Sequence, residues 1–358
     1  MKTSTNINKI FSKILNSNRI TKSECVKLLN LKRVEEIFYL ANNVREKKYG
    51  NNTTFSINKH INYTNVCENR CLFCAFYRDE KSSEVKRFFP NDLKKILEEV
   101  KNLKNIEIHI TGGLDPKFTF EKALEVIKTI KQIKKDAIIK AFTMVEIDFF
   151  AKTSGLKEIK VMERLKEAGV SSFPGGGAEI FSKKIRNKIC PQKINSERWL
   201  ALSKMAHIIG IPTNATMLYG IGESSEQIAD HLFRLRSLQD ETHGFMSFIP
   251  LLFQSEKTPL KHLKKVSLLE QLKIYSVSRI FLDNIPHIKN HWAMAGLKCA
   301  ELSQWCGVDD LEGTVFEERI AHEGGATTPI GMTREQVKKI IKDAGRIAVE
   351  RDGLYNIV

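Results

Sequence analysis

From His60 onward, short runs rich in β-branched and apolar residues alternate with longer stretches whose apolar positions recur every three to four residues. That alternation is the pattern of repeated βα units folding onto a parallel sheet. It predicts strands near 59–65, 106–111, 137–143, 169–173, 212–218 and 244–249, with helices near 91–103, 120–134, 158–168, 196–209 and 225–239. Six such units make a partial barrel. Ahead of them, residues 1–50 predict short polar helices, with Thr21-Lys22-Ser23-Glu24 as a capping box and an amphipathic stretch from Val34 to Val44. Past Pro250 the periodicity predicts helices near 267–281, 290–305 and 333–350, and the interval between Trp292 and Trp305 assigns both to the core. The chain therefore divides into an N-terminal helical cap (1–50), an α/β core (51–250) and a C-terminal extension closing the barrel (251–358).

In such sheets ligands gather beyond the C-terminal ends of the strands, and the chemically distinctive residues lie there. Cys67 follows the first strand, Thr111-Gly112-Gly113 the second, Pro174-Gly175-Gly176-Gly177-Ala178-Glu179 the fourth and Tyr219-Gly220-Ile221-Gly222-Glu223 the fifth. Three successive glycines are costly to order, which implies close approach of backbone to a ligand, with Glu179 as a hydrogen-bond acceptor.

Cys67, Cys71 and Cys74 form a C-x3-C-x2-C cluster that stands apart from the other cysteines, the next ones along the chain being Cys25 before it and Cys190 after it. Three thiolates on one loop suit either iron–sulfur or zinc. Structural zinc normally takes four close ligands, whereas a cubane cluster on three cysteines keeps one iron open to a small molecule. The spacing favours the second arrangement. Its rival from another class, a zinc-stabilised basic protein that binds nucleic acid, predicts a colourless metalloprotein with salt-sensitive affinity.

The cluster loop, with Phe73 just before the third cysteine, closely resembles that of radical S-adenosylmethionine enzymes. The resemblance implies a partial (βα)6 TIM-type barrel. It also implies a [4Fe-4S] cluster on the three cysteines, S-adenosylmethionine at the open iron, an electron donor such as flavodoxin or ferredoxin, and Phe73, Gly112, Gly113, Glu179, Tyr219, Gly220 and Gly222 around the cofactor. From about residue 45 onward, stretches such as Asn62-Tyr63-Thr64-Asn65-Val66-Cys67, Pro212-Thr213-Asn214-Ala215-Thr216-Met217 and Leu282-Asp283-Asn284-Ile285-Pro286-His287 are similar to the futalosine-pathway enzymes of menaquinone biosynthesis. Lys140-Ala141-Phe142-Thr143-Met144-Val145-Glu146 and Asp309-Asp310-Leu311-Glu312-Gly313-Thr314-Val315 resemble the synthase branch rather than the later cyclase. That branch implies addition of the 5′-deoxyadenosyl radical to 3-[(1-carboxyvinyl)oxy]benzoate, yielding 6-amino-6-deoxyfutalosine and methionine. Arg78, Arg186, His287, His291 and His322 are then the candidate partners of the substrate carboxylates, with Arg78, Glu179, His287 and His322 as candidate catalytic residues. Asp283 and Asn284 are candidates for closing the site.

Charge and cysteine usage refine the setting. Fifty-seven basic against forty-two acidic residues give a net +15, but the lysines fall in dispersed pairs without interleaved aromatics, which indicates solvated faces and no nucleic acid. Seven cysteines, an odd number with no secretory signature, argue against a disulfide framework and for a cytoplasmic setting. No apolar run suits membrane insertion.

Overall fold

The computed structural model describes residues 2–88, 90–316 and 319–358. Its strands are β1 (Asn52–Ser56), β2 (Asn58–Asn62), β3 (Glu107–Thr111), β4 (Ile138–Ala141), β5 (Val170–Ser172), β6 (Thr213–Tyr219), β7 (Phe245–Leu252), β8 (His287–Asn290), β9 (Asp310–Leu311) and β10 (Ile347–Arg351). All ladders are parallel, in the orders β2-β3-β4-β5 and β10-β1-β9-β8-β7-β6. A bridge between Phe173 and Thr213 joins β5 to β6, and another between Lys59 and Phe316 brings the chain beyond β9 back to β2. The wall is therefore a closed ring from β2 to β9.

The six strands expected from the sequence are all present, as β2 to β7. The C-terminal stretch closes the barrel by adding β8 and β9 to its wall. Both are short and polar, and His-Ile-Lys-Asn and Asp-Leu give little periodicity to detect. Two helices expected in that stretch are corrected. The one near 290–305 is broken into Trp292–Ala295 and Leu297–Ser303 at Gly296, whose φ of +89° favours glycine. The one near 333–350 stops at Asp343, and after Gly345 (φ +72°) the β-rich run Ile347–Arg351 pairs in parallel with β1.

Helical caps follow from local chemistry. Thr21 accepts a hydrogen bond from the Glu24 N–H while Glu24 Oε2 accepts from the Thr21 N–H at 2.7 Å, the reciprocal box expected for the helix Lys22–Asn30. This helix packs on Ser225–Thr242, and the helix Glu35–Tyr49 packs on Leu268–Phe281. Residues 2–50 thus clad the outside of the barrel. Trp292 is fully buried and donates from Nε1 to the Gly313 carbonyl, but Trp305, expected in the core, is 47% exposed beneath the Arg346 guanidinium. No helix among the described residues is long and apolar enough to cross a membrane.

A (βα)8 barrel normally fills its interior with branched apolar side chains. Here many inward positions along the strands are polar, namely Asn62 and His60 on β2, Glu107, His109 and Thr111 on β3, Lys140 on β4, Asn214 and Thr216 on β6, and Lys289 on β8, with Leu218 on β6 and Ile249 and Leu251 on β7 adding an apolar side. They line a cavity of about 320 Å³ whose upper wall carries Cys67 and Cys74. An open interior that sets convergent polar groups beside an apolar wall is the layout of a binding site rather than a packed core.

Candidate active site

The cysteine loop leaves the end of β2 and is held by its own neighbours. Thr64 Oγ1 donates to Asp115 Oδ2 at 3.0 Å, and Asn65 both donates to the Glu84 carbonyl (2.9 Å) and accepts from the Lys86 N–H (2.8 Å). The Arg78 N–H closes the loop on the Asn65 carbonyl at 2.7 Å. Cys67, Phe73 and Cys74 face the cavity, whereas Cys71 is buried beside Cys190, whose thiol it hydrogen-bonds. Burial raises the Cys67 and Cys74 thiols, Cys74 to about 11, and the hydrogen bond to Cys190 followed by burial raises Cys71, so deprotonation there calls for a strong compensating charge such as a metal. All seven cysteines are free. Among the described residues no three metal-ligating side chains yet converge at bonding distance. The donor set nevertheless fits an iron–sulfur cluster: three thiols on one eight-residue loop, with Cys67 and Cys74 on the cavity wall and Cys71 buried against Cys190.

The glycines beside the loop are required by the protein itself. A Cβ on Gly113 would stand 2.0 Å from the Val66 carbonyl oxygen and one on Gly112 would stand 2.7 Å from the Tyr63 ring. Gly112 lines the cavity. Its N–H donates to Glu146 Oε1 at 3.1 Å, the same oxygen that accepts from the Tyr63 hydroxyl at 2.9 Å. Glu146 Oε2 accepts from the N–H and hydroxyl of Thr143, 2.7 and 2.6 Å away. Burial pushes the Glu146 carboxyl up to about 7 against these four donors.

Across the cavity runs the triple-glycine segment. Gly175 lies against the Asn214 carbonyl, Gly176 against Thr143, and Gly177 (φ +88°) would place a Cβ 2.2 Å from Val145 Cγ2. Arg186, expected near substrate carboxylates, is instead buried beneath this segment, donating to the carbonyls of Ala178 (2.6 Å) and Ile180 (3.3 Å). Glu179 does face the cavity, but its Oε1 is paired with Lys193 Nζ at 2.7 Å. The same ammonium lies 5.1 Å from the Phe73 ring centroid. Burial would lower the Lys193 ammonium, yet the neighbouring Cys71 thiol, Glu179 and Cys190 outweigh it and hold it above its ordinary value.

Other expected residues lie elsewhere. Tyr219, Gly220 and Gly222 border a second pocket, formed with Lys264 to Ile274, rather than the cysteine-lined cavity. There the N–H groups of Gly220 and Ile221 donate to Glu223 at 2.8 and 2.9 Å, so the turn is capped from within. His287 opens β8 and therefore sits at the opposite end of the barrel, where Nδ1 meets Asp309 Oδ2 at 2.5 Å and the ring stacks on Tyr355. Asp283, paired with Arg19 at 2.6 Å, and Asn284 belong to the same end. Arg78 is taken up by Glu84 and Glu323 beside the cysteine loop, and His322 by the Thr328 carbonyl at 2.7 Å. Of the expected histidines, His291 lines the cavity.

The sequence reading missed Glu146, Lys193, His60, His109, Lys140 and Lys289 as cavity residues. A signal existed for two of them: Thr143-Met144-Val145-Glu146 is a capping box, and Lys140 interrupts an apolar strand.

Comparison with known proteins agrees with this layout. The Radical SAM superfamily model matches residues 61–235, and that of the CofH/MqnC C-terminal region matches residues 242–358. The aminodeoxyfutalosine synthase of Thermus thermophilus is 41% identical over 353 residues, covering 98% of this chain and 95% of that protein. The aminodeoxyfutalosine synthase of Streptomyces coelicolor is 34% identical, with 97% and 92% covered. The 5-amino-6-(D-ribitylamino)uracil–L-tyrosine 4-hydroxyphenyl transferase of Methanopyrus kandleri is 36% identical, with 90% and 89% covered. Among solved structures, methylornithine synthase (PylB) superposes with a TM-score of 0.76 at 17% identity, covering 94% of this chain and 96% of that one. At that identity the likeness is one of fold.

Proposed function

Because this chain belongs to the radical SAM superfamily and carries the CofH/MqnC C-terminal region, we propose that it is an aminodeoxyfutalosine synthase of menaquinone biosynthesis. It transfers the adenosyl group of S-adenosylmethionine to 3-[(1-carboxyvinyl)oxy]benzoate with loss of carbon dioxide, giving 6-amino-6-deoxyfutalosine and methionine. The observation that carries this reading is the 41% identity to the Thermus thermophilus enzyme across 98% of the chain.

Cys67, Cys71 and Cys74 would hold a [4Fe-4S] cluster, which supplies the electron for reductive cleavage of S-adenosylmethionine. The electron comes from an external donor such as flavodoxin or ferredoxin. The remaining work falls to the chain's own residues. Glu146 fixes the Gly112 backbone beside the cysteine loop, and Arg186 fixes the carbonyls of the triple-glycine segment opposite. Together they set the width of the slot into which a flat adenosyl group fits. The Lys193–Glu179 pair places one cation and one hydrogen-bond acceptor at its edge, suited to a carboxylate and to amino or hydroxyl groups respectively. The closed wall from β2 to β9 keeps bulk water from the reacting atoms, which a reactive radical requires.

The test is anaerobic incubation of the reconstituted protein with S-adenosylmethionine, a reductant and 3-[(1-carboxyvinyl)oxy]benzoate, read by mass spectrometry. Aminodeoxyfutalosine together with methionine supports the reading. The methanogen relatives favour a second one, in which L-tyrosine and 5-amino-6-(D-ribitylamino)uracil are joined. Product from that pair alone would replace the first reading, and ring-closed product from dehypoxanthine futalosine would point to the cyclase.

A further inference from the structure

The deep end of the cavity brings histidines and lysines together with carboxylates, and His109 Nε2 is among its buried polar atoms with nothing to bond. His60, His109 and Lys140 share one rung of the barrel, paired in register across β2, β3 and β4. The His60 and His109 rings meet edge to face with centroids 4.6 Å apart. Lys140 Nζ is 2.9 Å from Glu107, and Lys289 is shared between Asp310 (3.5 Å) and Glu312 (3.3 Å). Both lysines are thus already engaged by carboxylates. His109 Nε2 is buried and has no hydrogen-bond partner among the described residues. Leaving such a group unpaired costs about 1–3 kcal/mol, so a bare nitrogen at a cavity wall points to a ligand atom.

We propose that His109, flanked by His60 and Lys140, receives the ring carboxylate of an aromatic acid at the floor of the cavity. The assignment rests on the synthase reading above and fixes the direction in which the substrate lies. Bond formation to the adenosyl carbon has to occur at the cysteine-lined mouth, so the vinyl group points upward. The ring carboxylate survives in the product and is free to serve as the anchor. Gly112 at the mouth lies three positions beyond His109, about 10 Å at the usual rise of a strand. That depth suits a meta-substituted benzoate standing on its carboxylate. Burial, reinforced by the nearby Lys140 ammonium, holds the His109 imidazole well below its usual range, so the neutral ring can donate through Nε2–H to the carboxylate.

The test is anaerobic calorimetry on the cluster-loaded enzyme with three ligands: the full substrate, 3-methoxybenzoate, which keeps only the ring carboxylate, and 2-phenoxyacrylate, which keeps only the enol-ether carboxylate. His109→Leu should weaken the substrate and 3-methoxybenzoate at least about tenfold, the scale of one hydrogen bond to a charged group. It should leave 2-phenoxyacrylate within about twofold, and His109→Gln, which returns a donor near the Nε2 position, should recover part of the loss. If His109→Leu does not fold, His109→Asn, polar but too short to reach, is expected to weaken the same two ligands. Equal weakening of both single-carboxylate probes, or of neither, overturns the assignment. Turnover of 3-[(1-carboxyvinyl)oxy]benzoate with unchanged affinities in the variants sinks the anchor and leaves the synthase reading. Selective loss of 3-methoxybenzoate binding in an enzyme that does not convert the substrate sinks the synthase reading and leaves the anchor. A wild-type enzyme that binds none of the three ligands refutes both.

Discussion

The Glu146 carboxylate accepts a hydrogen bond from the Gly112 N–H at 3.1 Å, tying the turn after β3 to the first turn of the helix after β4. Two neighbouring wall segments of the cavity therefore move as one. Replacing Glu146 with alanine strands the Gly112 N–H, the Tyr63 hydroxyl and the Thr143 N–H in a buried site. We expect Glu146→Ala to lose about 2–4 kcal/mol of stability, from roughly 1–3 kcal/mol per stranded group partly relieved by water. Glu146→Gln, which keeps an acceptor, should lose less. Urea unfolding of both variants measures this, and an alanine variant as stable as the parent would remove Glu146 from this role.

The same residue gives a pH signature. Its native carboxyl is raised from 4.5 to about 7 by burial, so the folded state holds the proton more tightly than the unfolded chain. By linkage, its stabilising contribution is complete below pH 4.5, falls as pH rises toward 7 and is constant above. Asp310 behaves oppositely. Burial would raise it, but Arg351 and Lys289 prevail and lower it from 3.8 to about 2, so its contribution is present above pH 3.8 and disappears as pH falls toward 2. The stability difference between wild type and Glu146→Gln should therefore shrink between pH 4.5 and 7 and then level off. A difference that is flat across that interval would show that the carboxyl is not perturbed.

Gly177 and Gly155 both adopt positive φ, at +88° and +70°, but only Gly177 is crowded. An added Cβ at Gly177 would stand 2.2 Å from Val145 Cγ2, whereas at Gly155 it meets nothing within 4 Å. Gly155→Ala should cost about 1 kcal/mol, the backbone penalty for an L-residue in the left-handed region. Gly177→Ala should cost about 1–3 kcal/mol more through overpacking and lower kcat at least about tenfold by displacing the cavity wall. Thermal melts and single-turnover assays test the pair, and equal behaviour of the two would mean that the wall yields freely.

Cys67→Ala, Cys71→Ala and Cys74→Ala should each abolish bound iron and the accompanying visible absorbance after reconstitution, and with them all turnover. Cys299→Ala, at a buried thiol that does not line the cavity, should retain both. Iron analysis and electron paramagnetic resonance read the result, and full iron occupancy in the Cys71 variant would show that the buried thiol never turns toward the others.

Lys193→Met should destabilise by about 3–5 kcal/mol, because it leaves Glu179 with an unpaired and largely buried charge. The double variant Lys193→Met, Glu179→Gln should recover much of that loss. Guanidinium unfolding of the three variants measures the coupling, and additive losses would mean that the pair does not act as a unit.

The sequence by itself determined the parallel βα architecture, its first six wall strands and the three-cysteine loop. Each is encoded locally: period-two and period-3.6 patterns need only near neighbours, and Cys67, Cys71 and Cys74 share one short loop. Even so, Gly112 and Gly113 proved legible in position but not in reason, since the crowding that forbids their side chains comes from Tyr63 and Val66, more than forty residues earlier in the chain. Tertiary structure alone decided the rest. The strands β8 and β9 are too short and polar to carry a period, and they exist because neighbours on both sides supply hydrogen bonds. With β8 unseen, nothing indicated that His287 begins a strand and faces away from the mouth while His291 follows its end and lines the cavity. His60, His109 and Lys140 are separated by about thirty to fifty residues in the chain, and only parallel register sets them side by side. A polar residue on a strand looks the same in sequence whether it meets solvent or the inside of a barrel, and closure of the ring is what turns that face inward.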